Sequence, residues 1–484
     1  MSFGFGFGFE VILYITCILP TIILMYYTSR RHKNPLKNAY FAVKIPSEFI
    51  NSEEVQTIVE RFTKKNDRYH IIALIISLPL LLQFTYVSIY MFIFMLYVFA
   101  LTAIWQIPYA QANIQLKALK KERGWITESN KIIVADTKLP VPEDEKFNKF
   151  KDYLLLGSLV IISFIPYLIV NIENRSSYWM SDVFWYSFFI TIAITMISII
   201  LPYVIFNLSV FRRNNHVYSD DSELNIKFNA MKKNNWRFLL ISLLIISTTL
   251  NFFTALLLLE LITHFWFLIS IVIVSILSFG TAIGYMHKSN KLNKLINGIS
   301  PLNNFGGSSA EDDNNWIWGL FYYNVHDKRL LVEPVYTALS YGYTMNVAHK
   351  SAKVLLGTSA ALMAGLFIFL IVAIFDEVIP HQVNISDEVR ISSTLYRSNF
   401  LISDIQSIEM SSERPPATRV NGMATSQILR GRFNSRYGRV QMFIHRNNED
   451  FIIINTPQYI LFVNGISPEE TRNIYEEIYG LWSR

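Results

Sequence analysis

Long apolar runs alternate with basic segments along most of the chain, and this alternation restricts the possible folds more than any other feature. Eight runs are close to the ~20 residues that a helix needs to cross the hydrocarbon core of a bilayer. Hydrophobic residues make up 52% of the 484 residues and charged residues 17%, against about a quarter charged in soluble domains. We therefore predict a polytopic α-helical membrane protein with about eight spans. The runs are 9–27, 70–86, 88–107, 152–171, 182–206, 238–259, 264–286 and 354–375.

The basic residues predict the orientation of these spans, because positive charge that flanks membrane segments stays on the cytoplasmic side. Four segments hold 31 lysines and arginines, whereas the short loops at the opposite ends of the runs hold only Arg175. We expect a multi-pass plasma-membrane protein whose amino terminus and carboxyl-terminal domain both lie outside. The four predicted cytoplasmic loops are 28–69, 109–151, 207–237 and 287–353.

Composition and motifs exclude several classes of function. The net charge of +6 does not indicate nucleic-acid binding, because the excess base lies in loops that flank apolar runs. The single cysteine, Cys17, excludes an internal disulfide framework and a CxxC metal site. The sequence contains no HExxH, GxSxG or phosphate-loop motif. We expect no metal, no cofactor and no enzymatic activity. Residues 1–29 contain no lysine or arginine, so we also expect no cleavable signal peptide.

The last 109 residues, 376–484, differ in composition from the rest of the chain. They contain no lysine, and their 11 arginines are outnumbered by 13 acidic residues. Strand-like runs are followed by a capping box, in which Ser467 caps a helix, Pro468 occupies its first turn and Glu470 completes the box. We predict an extracytoplasmic β-barrel or sandwich closed by an α-helix, and a helical transmembrane region over 1–375. The predicted strands are Arg390–Tyr396, Gly438–His445, Phe451–Ile454 and Tyr459–Val463.

Two of the predicted cytoplasmic loops contain patterns of folded structure. In 28–69, apolar residues with helical spacing follow Ser47 or Ser52, either of which suits the helix cap. In 287–353, an aromatic-rich stretch covers 316–324. We expect this stretch to pack against the bilayer or against segment 28–69.

Two groups of residues are candidates for binding or packing. Five arginines fall within 21 residues of the tail and could contact an anionic ligand or peptide; the alternative is a solvated surface balanced by the domain's acids. In the last span, small residues recur every four positions, a spacing that permits close helix approach, either within the chain or in a dimer. The groups are Arg419, Arg430, Arg432, Arg436 and Arg439, and Gly357, Ala361 and Gly365.

Four stretches of the chain carry a resemblance to a known family: NPLKNAYFAVKIPSEFINSEEVQTIVERF (34–62), ELNIKFNAMKKNNWRFLL (223–240), NNWIWGLFYYNVHDKRLLVEP (314–334) and YGYTMNVAHKSAK (341–353). They resemble a family of uncharacterised multi-pass membrane proteins of Gram-positive bacteria, which is distantly related to self-immunity proteins against a secreted toxin. The tail resembles the bacterial pleckstrin-homology (PH)-like domain through RVNGMATSQILRGRF (419–433) and FIIINT (451–456). The resemblance implies a partly open β-barrel with a terminal helix, a plasma-membrane location and no established activity.

These observations favour a non-enzymatic protein with a binding, accessory, sensing or immunity role at the cell envelope. Its expected partners are the lipid bilayer and an extracytoplasmic peptide or envelope component. A transporter or transporter subunit, in which Asn251 would line a polar cavity within the spans, is one alternative. A scaffold for a membrane complex is the other. The sequence leaves the oligomeric state open.

Overall fold

The structure is a computed structural model in which helices account for most of the residues before the carboxyl-terminal domain. It divides into two compact units. The first consists of Met1–Val11, Ile76–Leu101 and Leu355–Arg484, and the second of Ile12–Ile75 and Thr102–Val354. The structure describes residues 8–35, 38–82, 84–125, 149–172, 182–207, 221–259, 261–297, 312–332, 344–413, 417–435 and 437–483.

The apolar runs form helices because a helix satisfies its own backbone hydrogen bonds, as a hydrocarbon environment requires. A π-helical turn at Tyr14–Ile18 joins α1 to α2, and a second π-helical turn at Met196–Ile200 joins α6 to α7. The helices are α1 Gly8–Leu13, α2 Leu19–Arg30, α3 Glu53–Ser77, α4 Val87–Glu122, α5 Lys149–Ile172, α6 Asp182–Thr195, α7 Leu201–Asn207, α8 Ser222–Leu258, α9 His264–Asn297, α10 Lys350–Val378 and α11 Pro468–Trp482.

Six helical segments within the described residues are long and apolar enough to cross a membrane, which indicates a membrane protein. Two of the predicted runs, 70–86 and 152–171, are not among these segments. Run 70–86 is the carboxyl-terminal part of α3, followed by a short turn at Leu78–Leu81. Run 152–171 lies in α5, a helix of 24 residues that contains the apolar segment Tyr153–Ile169. The count of eight therefore stays a prediction. The six segments are Glu10–Lys33, Val87–Glu122, Ser187–Val204, Ser222–Leu258, Trp266–Ile296 and Lys350–Val378.

In the second unit, several segments with polar ends fold into a small module that we call the juxtamembrane subdomain: residues 38–62, 109–125, 312–332 and 344–346. The helix predicted in 28–69 is confirmed as the first half of α3, which begins directly after Ser52. The aromatic stretch packs against this segment, as one of the two alternatives predicted, since Leu320 contacts the same apolar core as Phe41 and Phe62. The core residues are Tyr40, Phe41, Val43, Ile45, Val55, Ile58, Val59, Phe62, Tyr109, Ala112 and Leu116.

Three short antiparallel strand pairs complete this subdomain. They are β1 Ala39–Tyr40 with β2 Val43–Lys44, β3 Trp316–Ile317 with β4 Phe321–Tyr322, and β5 Leu331–Val332 with β6 Thr344–Met345. Asn346 is fully buried and holds the loop after β4. Its side chain accepts from Asn324 N at 3.1 Å and donates to the carbonyl oxygens of Asn324 and Asp327 at 2.7 and 2.9 Å.

In the first unit, the chain after α10 forms two β-sheets and a terminal helix, which we call the β-domain. Antiparallel β7 Gln382–Asn384, β8 Glu388–Ser392 and β9 Arg397–Leu401 make a three-stranded sheet. The second sheet has the order β10-β14-β15-β13-β12-β11, and it is antiparallel except between β13 and β15. Its strands are β10 Ser407–Ser411, β11 Ala417–Ala424, β12 Ile428–Ser435, β13 Gly438–His445, β14 Phe451–Asn455 and β15 Ile460–Val463.

The six-stranded sheet is apolar on both faces, because successive residues alternate between two cores. In β14, for example, Ile452 and Ile454 join the core shared with the three-stranded sheet and Ile478 of α11, whereas Phe451 joins the core on the other face. The predicted cap of α11 is confirmed: Glu470 N donates to Ser467 Oγ at 3.2 Å, and Glu470 Oε2 accepts from Ile466 N at 2.7 Å. Closure of the sheets into a barrel stays a prediction.

Candidate functional site at the end of the last membrane helix

The last apolar helix, α10, ends in two acidic residues that are buried where the β-domain begins. Asp376 and Glu377 are 0% and 3% exposed. Acidic side chains at a helix carboxyl terminus are unfavourable, because the helix dipole and the unpaired carbonyl groups already make that end negative. A buried cation is therefore needed nearby.

Arg430, from the middle of β12, supplies that cation and is itself 0% exposed. Its Nη1 donates to the carbonyl oxygen of Asp376, and to that of Ile379 at 3.0 Å. The same atom lies 3.9 Å from Asp376 Oδ2. Arg430 thus caps the end of α10 and pairs with its acidic residue. Burial lowers the pKa of Arg430 while Asp376 and Glu377 raise it, and an arginine stays charged through such a shift.

The two acidic side chains connect α10 to further elements of the first unit. Asp376 Oδ1 accepts from Leu395 N at 2.8 Å, which joins the helix end to the hairpin between β8 and β9. Glu377 Oε2 accepts from Ser88 N at 2.9 Å, in the first turn of α4, where the helix dipole favours a negative charge. Ser426 Oγ, in the turn between β11 and β12, donates to Thr85 O at 3.2 Å. The β-domain is therefore tied to the end of α10 and the start of α4.

Two histidines stack beside this charge cluster. The ring centroids of His381 and His445 are 4.7 Å apart and the rings are nearly parallel. Burial, His445 and Arg430 lower the pKa of His381 to about 3, against a hydrogen bond to the backbone of Asn464 that raises it. Burial and Arg430 lower the pKa of His445 to about 4. Both rings are therefore neutral at pH 7, which spares Arg430 further buried positive charge.

Several polar atoms in the cluster have no hydrogen-bond partner among the described residues. They are Arg430 Nε and Nη2, Asp376 Oδ2, Glu377 Oε1 and His381 Nδ1. Part of the charge in this cluster is thus stabilised by electrostatic attraction between nearby groups and not by hydrogen bonds. Such an arrangement is sensitive to small displacements. Across the described chain, no three His, Cys, Asp or Glu side chains come together to hold a metal ion. The cluster is a buried, charged contact between the end of α10 and the β-domain, which we call the joint.

The structure separates the five arginines predicted to bind a ligand. Arg430 is committed to the joint, whereas Arg419, Arg432 and Arg439 are exposed on β11, β12 and β13. Arg432 pairs with Gln441 across the sheet, and Arg439 pairs with Asn434. Arg436 lies outside the described residues. A single five-arginine surface is therefore not formed, and ligand binding by the exposed arginines stays a prediction.

The small-residue stripe of the last span is also exposed. A side chain built at Gly357 or Gly365 would meet no described atom within 4 Å, and Ala361 between them is exposed. The packing within the chain that this spacing favours is not found among the described residues.

The residues that build the joint were not identified from sequence, apart from Arg430. Asp376 and Glu377 carry one usable signal, an acidic pair placed directly at the end of an apolar run. His381 and His445 are 64 positions apart and have no motif that links them. Their stacking depends on the pairing of β13 with its neighbours.

Comparison with known proteins supports the β-domain. Residues 383–481, about a fifth of the chain, match the bacterial PH domain family. The chain matches no curated protein and no solved structure. The carboxyl-terminal region is thus a PH-like domain, as its sequence predicted, and the match begins just after the joint at Asp376 and Glu377.

Proposed function

We propose that the chain is a non-enzymatic, multi-pass protein of the plasma membrane of a Gram-positive bacterium, with a sensing, accessory or immunity role at the cell envelope. The proposal includes eight spans and an amino terminus and β-domain outside, with the β-domain closed as a partly open barrel. The observation that carries it is the joint, in which Arg430 of the β-domain caps and neutralises the end of the last span. A domain held in this way can pass a change in its own strands to a membrane helix.

The contacts within each unit support the proposed orientation. Segments 28–69, 109–151 and 287–353 carry the basic residues predicted to be cytoplasmic, and parts of all three share one folded subdomain. Thr85 and Ser88 belong to a turn predicted to be outside, and both contact the part of the chain that follows α10. Each set of contacts joins segments that the charge distribution assigns to the same side.

A ligand would act through β12. Arg432 is exposed and lies two residues from Arg430 on the same strand, and Arg419 and Arg439 are exposed on the neighbouring strands. An acidic group of a peptide or envelope component would pair with these exposed arginines. A shift of β12 on binding would move Arg430 against the carbonyl groups of Asp376 and Ile379.

The transporter alternative has less support, because its main polar residue is already engaged. Asn251 is buried and its Nδ2 donates to Ser198 Oγ at 3.0 Å, which joins α8 to the turn between α6 and α7. A hydrogen bond between helices is a sufficient explanation of a polar residue in a span. A scaffold role would require a partner that the β-domain captures in a pull-down.

Growth of isogenic cells under challenge tests the proposal. Cells that lack the chain, express it, express it without 376–484, or express Arg430→Met would be exposed to membrane-active peptides and envelope stresses. We expect protection from the full chain only, with Arg430→Met inserted in the membrane but inactive. Equal growth of all four strains across the panel would contradict a sensing or immunity role. Inactive alkaline phosphatase fused after Arg484 would contradict the orientation.

A further inference from the structure

The hairpin of β3 and β4 presents its apolar residues in two directions. Trp316 and Tyr322 are buried inside the juxtamembrane subdomain. Ile317, Trp318 and Phe321 point the other way, and 52% of Trp318 is exposed. The rings of Trp318 and Phe321 contact each other edge-on, with centroids 6.4 Å apart. Together the three exposed side chains form a contiguous apolar patch, which is typical of a contact surface.

The backbone at the tip of this hairpin accepts strain to place the indole outward. Trp318 and Gly319 both have positive φ angles, 56° and 71°, in a turn closed by a 3.0 Å hydrogen bond from Leu320 N to Ile317 O. Such turns favour Asn, Asp or Gly, and a bulky residue with positive φ is an outlier. A tryptophan at this position is therefore costly unless its side chain gains contacts that the isolated subdomain does not provide.

The hairpin runs along α4 toward the apolar part of that helix. Its base is fixed near the end of α4, where Asp313 pairs with Lys120 at 2.7 Å. Lys117 Nζ then donates to Trp316 O at 2.7 Å. At the tip, Gly319 lies so close to Tyr109 and Asn113 that an added Cβ would be 2.9 and 2.8 Å from their side chains. From Lys120 to Tyr109 the helix advances about 16 Å.

The tip therefore lies at the level where α4 becomes apolar. The apolar run of α4 ends at Ile107, directly before Pro108 and Tyr109. A second helix gives the same level, because His32, in the basic turn Arg31–Lys33 directly after α2, contacts Tyr109 edge-on with ring centroids 5.1 Å apart. Basic residues at the end of one apolar helix and the polar boundary of another mark a membrane–water interface.

We propose that Trp318, with Ile317 and Phe321, inserts into the headgroup–acyl boundary of the leaflet at which α4 ends. Tryptophan is enriched at this depth because its ring is apolar and its N–H can still reach water or headgroups. The exposed Lys33 after the neighbouring helix end favours anionic headgroups at the same level, whereas Arg30 pairs with Asp67 at 3.7 Å. The hairpin thus anchors the juxtamembrane subdomain on lipid. This anchoring is independent of any ligand of the β-domain.

Spin-label accessibility in the full chain tests this insertion. Cys17 is the single cysteine, so Cys17→Ser provides a background in which Trp318→Cys carries the label. Val325→Cys is the matched control, because Val325 is 69% exposed and follows Tyr323, whose N–H bonds to Asn315 at the hairpin base. The proteins would be placed in nanodiscs of phosphatidylcholine and phosphatidylglycerol, and collisions with oxygen and with a water-soluble nickel chelate would be compared.

We expect the oxygen-to-nickel collision ratio at 318 to exceed that at 325 severalfold, at a depth of about 5–10 Å. Equal ratios at the two positions would overturn the proposal, whether both were high or both low. Low collision with both reagents at 318 would also overturn it, since the tip would then be covered by protein. Phe321→Cys provides a second position, with the same expected result, if Trp318→Cys yields too little folded protein.

Discussion

At the end of α10 the β-domain is held by buried charges, whereas at the end of α4 the juxtamembrane subdomain is held by an apolar core with charge pairs at its margin. Arg430 and Asp376 are fully buried. Lys120 and Asp313 retain 14% and 12% exposure, and Arg123 pairs with Glu54 in solvent. The two attachments therefore differ in how much they depend on charge.

The difference has a physical consequence for each attachment. An apolar core stabilises in proportion to buried area and tolerates small displacements. A buried ion pair adds little net stability, because desolvation offsets its attraction, but breaking one partner leaves an unpaired buried charge. The juxtamembrane attachment is suited to holding position, and the joint at α10 is suited to responding to a change in the β-domain.

The largest effect is expected from Arg430→Met. It removes the buried cation and leaves Asp376 and Glu377 uncompensated, which should destabilise the β-domain by about 3–5 kcal/mol. Thermal unfolding of the full chain in detergent would measure the loss. The control is Arg432→Met on the same strand, which is exposed and should change stability by less than about 0.5 kcal/mol. Similar losses from both variants would contradict the distinct role of Arg430.

A large effect without any charge is expected from Gly319→Ala. Gly319 has a φ of 71°, and an added Cβ would meet Asn113, Phe41 and Tyr109 at 2.8–2.9 Å. Strain and crowding together should destabilise the juxtamembrane subdomain by about 2–3 kcal/mol. Gly124→Ala is the matched control, because Gly124 has a φ of 60° but open space around it, and should cost about 1 kcal/mol. The measurement is hydrogen exchange of α3 peptides in the two variants. Because both glycines have positive φ but only Gly319 is crowded, a larger increase in exchange for Gly319→Ala measures the crowding. Equal increases in the two variants would contradict it.

Acidification should weaken the β-domain through His381. The pKa of His381 is about 3 in the folded protein, against an ordinary value of 6.5. The unfolded chain therefore binds the extra proton, and the free energy of unfolding falls as pH drops below 6.5, by up to about 1.4 kcal/mol per pH unit. Arg430 and His445 lower the pKa of His381 and so oppose its protonation. The other charged groups of the cluster are the carboxylates of Asp376 and Glu377.

Unfolding of the β-domain between pH 7 and 5 would be compared for the wild type and His381→Phe. This range lies above the ordinary pKa of carboxylates, so acidic residues contribute little. The substitution should reduce the pH dependence by about half, even if it lowers stability throughout, because His445, whose pKa is about 4, contributes a similar slope in this range. Identical slopes would show that His381 is not buried and neutral.

The smallest effect is expected from Lys120→Met. The Lys120–Asp313 pair is at the margin of the apolar core, and its loss should cost about 1 kcal/mol. Lys121→Met, at an exposed neighbouring position, is the control and should have no measurable effect. Hydrogen exchange of the 312–323 segment is the measurement. A loss as large as that of Arg430→Met would mean that charge dominates both attachments.

Local patterns predicted much of the fold. The capping box at Ser467 located α11, and the alternation in Gly438–His445 located β13 with its bounds. Two boundaries were wrong. The predicted strand Arg390–Tyr396 covers the end of β8 and the turn before β9. The helix in 28–69 and the run 70–86 were treated as separate, but no breaker separates Phe62 from Ile71 and both belong to α3.

The joint depends on long-range pairing, which local patterns do not contain. Strands β11 and β12 were missed because polar residues and Gly422 and Gly431 interrupt their alternation. Without β12, nothing places Arg430 beside Asp376, 54 positions earlier in the chain. An arginine cluster in sequence was therefore interpreted as a surface, although one of its members is buried.

The most direct test of the central claim is hydrogen exchange of the full chain in nanodiscs, comparing the wild type with Arg430→Met. If Arg430 joins the β-domain to the last span, its loss should speed the exchange of amides at the end of α10 and in the β8–β9 hairpin together. Arg430 caps the carbonyl groups of Asp376 and Ile379, and the Asp376 side chain accepts the hydrogen bond from Leu395 in that hairpin. Exchange in the juxtamembrane subdomain should not change. Faster exchange confined to β12, with the end of α10 unaffected, would contradict the joint.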